Sequence, residues 1–588
     1  MRLVTRRSLL LSAAVLLAAC STVRTPPPDD TTERLRIAGE AVRTAPRATA
    51  AWRCVPDRPS PMPSPATRAE RTGFCETTPY EEAMAFLDTV RSRAAPNRIM
   101  RLTRLGASPR GRPLIAVTVC ARTGRTVDSC DDLMAAPRRR PVVLLQANIH
   151  AGEVEGKEAV LALLRTVVTD ARPNLLDSVT LIVIPMYNAD GNEALAPQAR
   201  NRGAQLGPAF IGERANGDGL DLNRDYIKAE APETRAMLPL LTNGGVDVFV
   251  DLHTTNGSYH GYNLTWSPSL HPGAPLAAFT GDTLLEGIRR RLDRRGVKTY
   301  AYGNFSNAFA REVTLDARKE GWFTYDSRPR FGSNYFGLTG GVSVLSEAYS
   351  HDPFAVRVRS TDAFLRELLG TVGSDPSILA RVTAARRTLG AGVSTRGLVL
   401  ETQLTTSPRE DDVLVEALEA DSDSPGAEPG VPPGIRRTGR IAAQRMPVRD
   451  RFDATRTATV PAGGWLIEAA DTALITLLTR HGVRVRGRVP GAAVLRVERF
   501  DFDSVERSPR AFQGHREVRL LGRWVALRMK ASADWRWVPA AQRQLLVAAQ
   551  LLEPQSNDGA TTWNLFDDRL RMGKFHPVLR LLTRTGAH

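Results

Sequence analysis

A histidine and a glutamate three residues apart, His150 and Glu153 in NIHAGE, stand where an apolar run ends and a helical pattern begins. Imidazole nitrogen and carboxylate oxygen both suit Zn²⁺, and across a strand-to-helix turn the two can converge on one ion. The same spacing also fits a surface histidine beside a helix-opening glutamate, so a further ligand has to come from elsewhere. His253, in FVDLHTTNG just past another apolar run, is the candidate. A short-spaced pair plus a distant histidine leaves one position of a tetrahedral zinc ion open for water, the arrangement of a catalytic rather than a structural site. Zinc brings the pKa of such a water near neutrality and polarises a carbonyl oxygen. A general base is then needed, and Glu347, at the end of the apolar run in VSVLSEAYS, is placed to take the water's proton and pass it to a leaving amine. The alternative for Glu347 is a buried acid paired with an arginine.

These residues need elements to hold them. Continuous apolar runs at 142–147 and 113–119, and at 179–185, 246–252 and 342–346, read as strands, while the spacing of apolar residues from Glu153 to Val168 reads as an amphipathic helix. Ordered structure begins at Thr78, with Pro79 in a first helical turn, and helices are expected over 274–296 and 354–371. Strands alternating with helices predict an α/β fold, a mixed twisted β-sheet flanked by helices on both faces. Sites in such folds lie beyond the carboxyl ends of the strands, where His150, NADG (188–191), His253 and Glu347 all fall.

With 588 residues the chain should hold about two to three domains. Its net charge of +16 invites a nucleic-acid partner, but the arginines are scattered and no nucleic-acid module interleaves them with aromatics, so none is expected. Arg2, Arg6 and Arg7 precede an apolar stretch, Leu9 to Ala19, too short to span a bilayer, which marks 1–19 as a signal peptide. LAAC at 17–20 resembles a bacterial lipobox and implies a lipid on Cys20, an anchor in the cell envelope, and by Ser21 an outer-membrane location facing the periplasm. Proline-rich 20–75 reads as a tether. Cys54, Cys75, Cys120 and Cys130 suit two disulfides, with neighbours paired, in an exported protein. Residues 380–588 read as a smaller β-rich α+β domain, within which the acid-, Pro- and Gly-rich stretch 407–436 reads as a solvated loop.

Taken together and in order, GASPRGRPL (106–114), NIHAGE, NADG, ARNRGAQLGP, LDLNRD (220–225), DLH and the strand ending in Glu347 resemble the zinc carboxypeptidases of the carboxypeptidase A type, over residues 76–372. The resemblance implies one zinc ion held by His150, Glu153 and His253, with Glu347 as general base. It implies Arg202 as the arginine that stabilises the oxyanion, with Arg200 as rival, and Asn223 and Arg224 as the pair that holds a substrate's terminal carboxylate. Asp221 would orient a zinc-bound histidine. Tyr325 would cap the substrate, with Tyr335 also fitting. The implied partner is a peptide with a free C-terminus. An amidase or deacylase on cell-wall peptides or N-acyl amino acids using the same site, and a non-catalytic envelope binding protein, are the alternatives. RHGV, FQGH and LLEPQSNDGATTWN resemble the region C-terminal to the peptidase domain in one bacterial branch of the family.

Overall fold

The computed structural model describes residues 54–122, 130, 140–243, 245–305, 321–420, 435–487, 489, 494–572 and 575–582. The expected signal peptide, Cys20 and the first part of the tether lie outside the described residues.

Strands β1 (Arg98–Ala107), β2 (Pro113–Ala121), β3 (Val142–Ala147), β4 (Thr180–Ile184), β5 (Val248–Thr254), β6 (Leu264–Pro268), β7 (Thr299–Ala301) and β8 (Val342–Ala348) form one mixed sheet of eight strands, ordered β1-β2-β4-β3-β5-β8-β6-β7. β4, β3, β5 and β8 run parallel, and the neighbours beside them on either side are antiparallel. Because side chains alternate across a strand, Val143 and Leu145 of β3 enter one core and Val142 and Leu144 another. The first core is closed by helices Tyr80–Ser92, Glu155–Thr169 and Phe354–Ser374, whose apolar faces bury Phe86, Leu161, Leu164 and Leu365. On the opposite face lie helices Pro232–Thr242 and Gly332–Leu338, and against them the C-terminal helices Thr472–Arg480 and Leu545–Leu552.

Three expectations change. Residues 54–75, read as part of a tether, pack on the domain: Cys54 is disulfide-bonded to Cys75, Phe74 meets Phe354 edge to face, and buried Glu70 pairs with Arg165 at 2.7 Å. The stretch read as a loop from 407 is a strand over Arg409–Ala420, paired with Ile435–Arg449, because Val413 and Val415 alternate inward against Tyr262 and Trp322; 421–434 lie outside the described residues. Helix Pro376–Gly390 runs through the expected start of the C-terminal domain at 380. The second disulfide, Cys120–Cys130, follows the neighbour pairing.

The C-terminal region is β-rich as expected. It holds a two-stranded pair, Leu398–Leu404 with Phe452–Ala458, and a five-stranded sheet that includes Val494–Arg507 and Val518–Lys530. The 409–449 hairpin is shared: Val448 and Arg449 pair with Trp322 and Phe323 of the preceding region.

Candidate active site

β3 ends at Ala147, and Asn148 then takes a left-handed conformation, φ +62°, which asparagine tolerates better than most residues. The reversal lets Asn148 Nδ2 donate to the Ala151 carbonyl at 3.2 Å and the Glu153 amide donate to the His150 carbonyl at 2.9 Å. His150 and Glu153 therefore face inward from a tight turn just ahead of helix Glu155–Thr169, whose N-terminal dipole favours an anion. Gly156 lets that helix lie against β5, since a Cβ there would stand 2.8 Å from Leu252 Cβ. β5 carries His253, and in the parallel pairing of β5 with β8 His253 stands opposite Glu347.

The three expected ligands converge. His150 Nδ1 lies 3.1 Å from Glu153 Oε1, His253 Nδ1 lies 2.9 Å from Glu153 Oε2, and the two Nδ1 atoms are 3.2 Å apart. All three residues are buried and their ligand atoms fall within 4.8 Å of one another. The remaining ring nitrogens meet carboxylates: His150 Nε2 is 3.1 Å from Asp221 Oδ1 and His253 Nε2 is 3.1 Å from Asp251 Oδ2. That arrangement fixes the rings with Nδ1 directed at the shared centre, as a metal-binding histidine requires. Two imidazoles and a carboxylate fit one Zn²⁺ with a position left open. Glu347 lies beside them, 7% exposed, with Oε2 buried and lacking a hydrogen-bond partner among the described residues.

Electrostatics sort the acids. Burial alone would raise the Glu153 carboxyl, but Arg202 and His150 hold it well below the usual carboxylate range. Asp221 is likewise raised by burial and brought well below that range by Arg214, Arg224 and His150. For Glu347 burial prevails and pushes it up to about 8: His253 and, less, Arg202 oppose the rise, and Glu153 adds to it. Two acids near one centre thus differ in proton affinity, the arrangement expected of a ligand and a general base.

The arginines separate in the same way. Arg202 is locked beneath Glu153, with Nη1 donating to Oε1 at 2.7 Å and Nη2 donating to the carbonyls of Thr254 and Thr255. Both Nη groups thus go to scaffolding a ligand and the strand end behind it, and Nε is buried with no partner among the described residues, which argues against the oxyanion role the resemblance implied. Arg200 is exposed at the end of the short helix Gln198–Asn201. Arg214, which no sequence motif singled out, enters the site instead. Its Nε donates to Asp221 Oδ2 at 2.9 Å, its Nη1 stands 3.6 Å from Glu153 Oε1, and its side chain remains 39% exposed. Its place in the loop leading into LDLNRD was the one signal that could have found it.

Leu222–Arg224 is a single 3-10 turn with Asp221 as its cap. Asn223 Nδ2 is 3.4 Å from His253 Nε2, and Asn223 Oδ1 accepts from the Gly332 amide at 2.9 Å. Arg224 is buried, lies 4.0 Å over the Phe331 ring and donates to the Asn223 carbonyl. It forms no ion pair among the described residues, and its Nε is buried without a partner. Burial lowers its pKa to about 10 despite the nearby Asp221. Tyr325 is half-buried between Tyr302 and Phe331, its hydroxyl 2.9 Å from Ser333 Oγ. Tyr335 is a core residue, fully buried and bonded to His481 Nδ1 at 2.8 Å, so of the two tyrosines only Tyr325 borders the site.

Residues 84–328 match the family model described as Zinc carboxypeptidase. That span includes His150, Glu153, Arg214, the LDLNRD segment, His253 and Tyr325; Glu347 lies beyond it and is joined to the centre by the β5–β8 register. The chain is similar to the human carboxypeptidase N catalytic chain, 26% identical over 191 residues, covering 28% of this chain and 41% of that one. It is also similar to carboxypeptidase E of Caenorhabditis elegans, 30% identical over 135 residues, covering 22% of this chain and 25% of the relative. It thus spans less than half the length of these relatives. Among solved structures, a metallo-carboxypeptidase from Burkholderia cenocepacia aligns over 50% of this chain and 70% of its own, at 19% identity and a TM-score of 0.36.

Proposed function

Residues 84–328 belong to the zinc carboxypeptidase family, and from that premise we propose that the protein removes the C-terminal residue of peptides in a bacterial cell envelope. The observation that carries the reading is the convergence of His150, Glu153 and His253, with His253 in register with Glu347 on the neighbouring strand and the buried Glu347 Oε2 without a partner among the described residues. A zinc ion bound there supplies a polarised carbonyl and a water that loses its proton near neutral pH. Glu347 accepts that proton on its carboxylate and returns it to the nitrogen of the leaving amino acid. Arg214 donates from its guanidinium to the carbonyl oxygen as negative charge builds on it, while Arg202 keeps Glu153 in place. Arg224 and Asn223 hold the substrate's free carboxylate, and Tyr325 closes over the bound end. A buried guanidinium without an acid partner suits an incoming carboxylate, and for that reason the carboxypeptidase is favoured over an amidase or deacylase.

The envelope location and a lipid on Cys20 are supported by the arginines and LAAC of the first twenty residues. The substrate reading is tested by mass spectrometry of products from a mixed peptide library, with and without a chelator. Loss of single C-terminal residues, stopped by the chelator and by C-terminal amidation, is expected. Arg224→Ala should keep zinc but sharply raise KM on peptides with a free carboxylate; an unchanged KM would remove Arg224 from the clamp.

A further inference from the structure

Segment 221–230 carries three of the groups that the proposed reaction needs, Asp221, Asn223 and Arg224, yet its backbone is irregular. It is a 3-10 turn followed by a left-handed residue, Ala229, at φ +55°. Such a segment has no extended ladder to hold it, and both of its ends are held from outside by one turn of the C-terminal domain, 510–516. At one end the Asp221 amide donates to Gln513 Oε1 at 2.9 Å; at the other, His515 Nε2 lies 2.8 Å from Glu230 Oε1.

The turn is itself firmly set. Phe512 and His515 exchange backbone hydrogen bonds of 2.7 and 2.9 Å, and Gln513 sits between them at φ +49°. A non-glycine residue keeps that conformation only where its surroundings over-determine it. Here His515 Nδ1 is 3.1 Å from Asn564 Oδ1 and the ring meets Trp563 edge to face. Arg330 binds the flank, with Nη1 2.7 Å from Glu517 Oε1 and Nε donating to Asp558 at 2.9 Å.

We infer that this turn is the positioning element of the active site and that Gln513 is a positioning residue acting on the metal centre through Asp221. The inference rests on the reading of the site as a zinc peptidase. The Asp221 amide precedes the 3-10 turn and has no partner within it, so Gln513 fixes the direction from which the Asp221 side chain leaves the backbone. That side chain holds His150 Nε2 with one oxygen, which also accepts from the Asn223 amide, and Arg214 Nε with the other. One side-chain oxygen of the C-terminal domain therefore sets a ligand histidine, the arginine that faces the carbonyl oxygen and the start of the carboxylate clamp. A partner that only filled space at the domain boundary would not need to be an acceptor.

The test uses the full chain as Gln513→Leu, which keeps bulk and removes the acceptor, and Gln513→Glu, which keeps the acceptor. Chelator-stripped protein is titrated with Co²⁺, followed by its visible absorption, and kcat and KM are measured on a peptide with a free C-terminus. The leucine variant should bind Co²⁺ about tenfold more weakly, in the range seen for groups that orient metal ligands, and show a raised KM, while the glutamate variant returns to within about twofold of the parent. A leucine variant with unchanged Co²⁺ affinity and KM, or equal losses in both variants, overturns the inference. If the parent cleaves no peptide, the peptidase reading fails by itself, and the Co²⁺ titration alone decides on Gln513.

Discussion

Arg202 and Arg214 both reach Glu153, and what distinguishes them is the capacity left for a substrate. With Nη1 on the carboxylate and Nη2 on two carbonyls, Arg202 has no face to turn toward a scissile bond. Arg214 touches Asp221 through Nε and stands back from Glu153, partly exposed. Arg214→Ala should therefore lower kcat about a hundredfold or more, the usual cost of losing an oxyanion donor, with metal affinity nearly kept. Arg202→Ala should instead weaken the metal, because it frees a buried ligand carboxylate; the reverse pattern in kcat and zinc titrations would exchange their roles. Glu347 supports a sharper prediction. Glu347→Gln keeps the shape and removes the base, so it should retain zinc by metal analysis while losing about a thousandfold in kcat. Near-parental turnover by that variant would sink the mechanism.

At the scale of elements, the site depends on the β5–β8 register and on the contact between segment 221–230 and the 510–516 turn. That contact contains a titrating pair, His515 with Glu230. Lys228 Nζ lies 3.0 Å from Glu230 Oε2 and is itself 3.4 Å from Asp225, while Asn564 faces the other ring nitrogen. Glu230, which burial would raise, is brought down to about 2 by His515 and Lys228, so its share of stability is present above about 4.5 and lost as pH falls toward 2. The His515 imidazole is raised chiefly by its hydrogen bond to Glu230; its share is full below about 6.5 and disappears as pH climbs through the raised value. The melting-temperature gap between the parent and His515→Gln should be widest between about pH 4.5 and 6.5 and narrow by pH 9. A gap independent of pH would show that the pair is not ionised. These contacts also explain what was legible in the sequence. His150, Glu153, His253 and Glu347 could be found because His253 and Glu347 stand at the carboxyl ends of apolar strands and His150 and Glu153 in the turn that follows another, and those ends share one edge of the sheet. Gln513 lies 292 residues from Asp221, and no local pattern links them. Acids at 410–412 masked the alternation of Val413 and Val415, so a hairpin with one covered face read as solvated loop.

For the whole molecule, the C-terminal region reaches the catalytic centre from two sides. Besides the 510–516 turn, the 409–449 hairpin places buried Glu416 against the Tyr349 hydroxyl at 2.8 Å, two residues beyond Glu347, with Arg437 held on the same carboxylate. Behind both contacts, Phe249 of the central sheet and Phe336 share one apolar core with Trp465, Leu474 and Leu545. A core of that kind cannot be divided without exposing apolar surface on both parts, so the two regions should unfold together. Calorimetry of the full chain should show one transition. Leu545→Ala, in the C-terminal region, should cost about 2–5 kcal/mol and lower that transition as a unit. Zinc release, followed with a fluorescent indicator, should move to the same lower temperature, because the segments that hold the ligands lose their support when that core opens. Two resolved transitions, with zinc release unmoved by Leu545→Ala, would mean that the catalytic region folds and holds its metal independently.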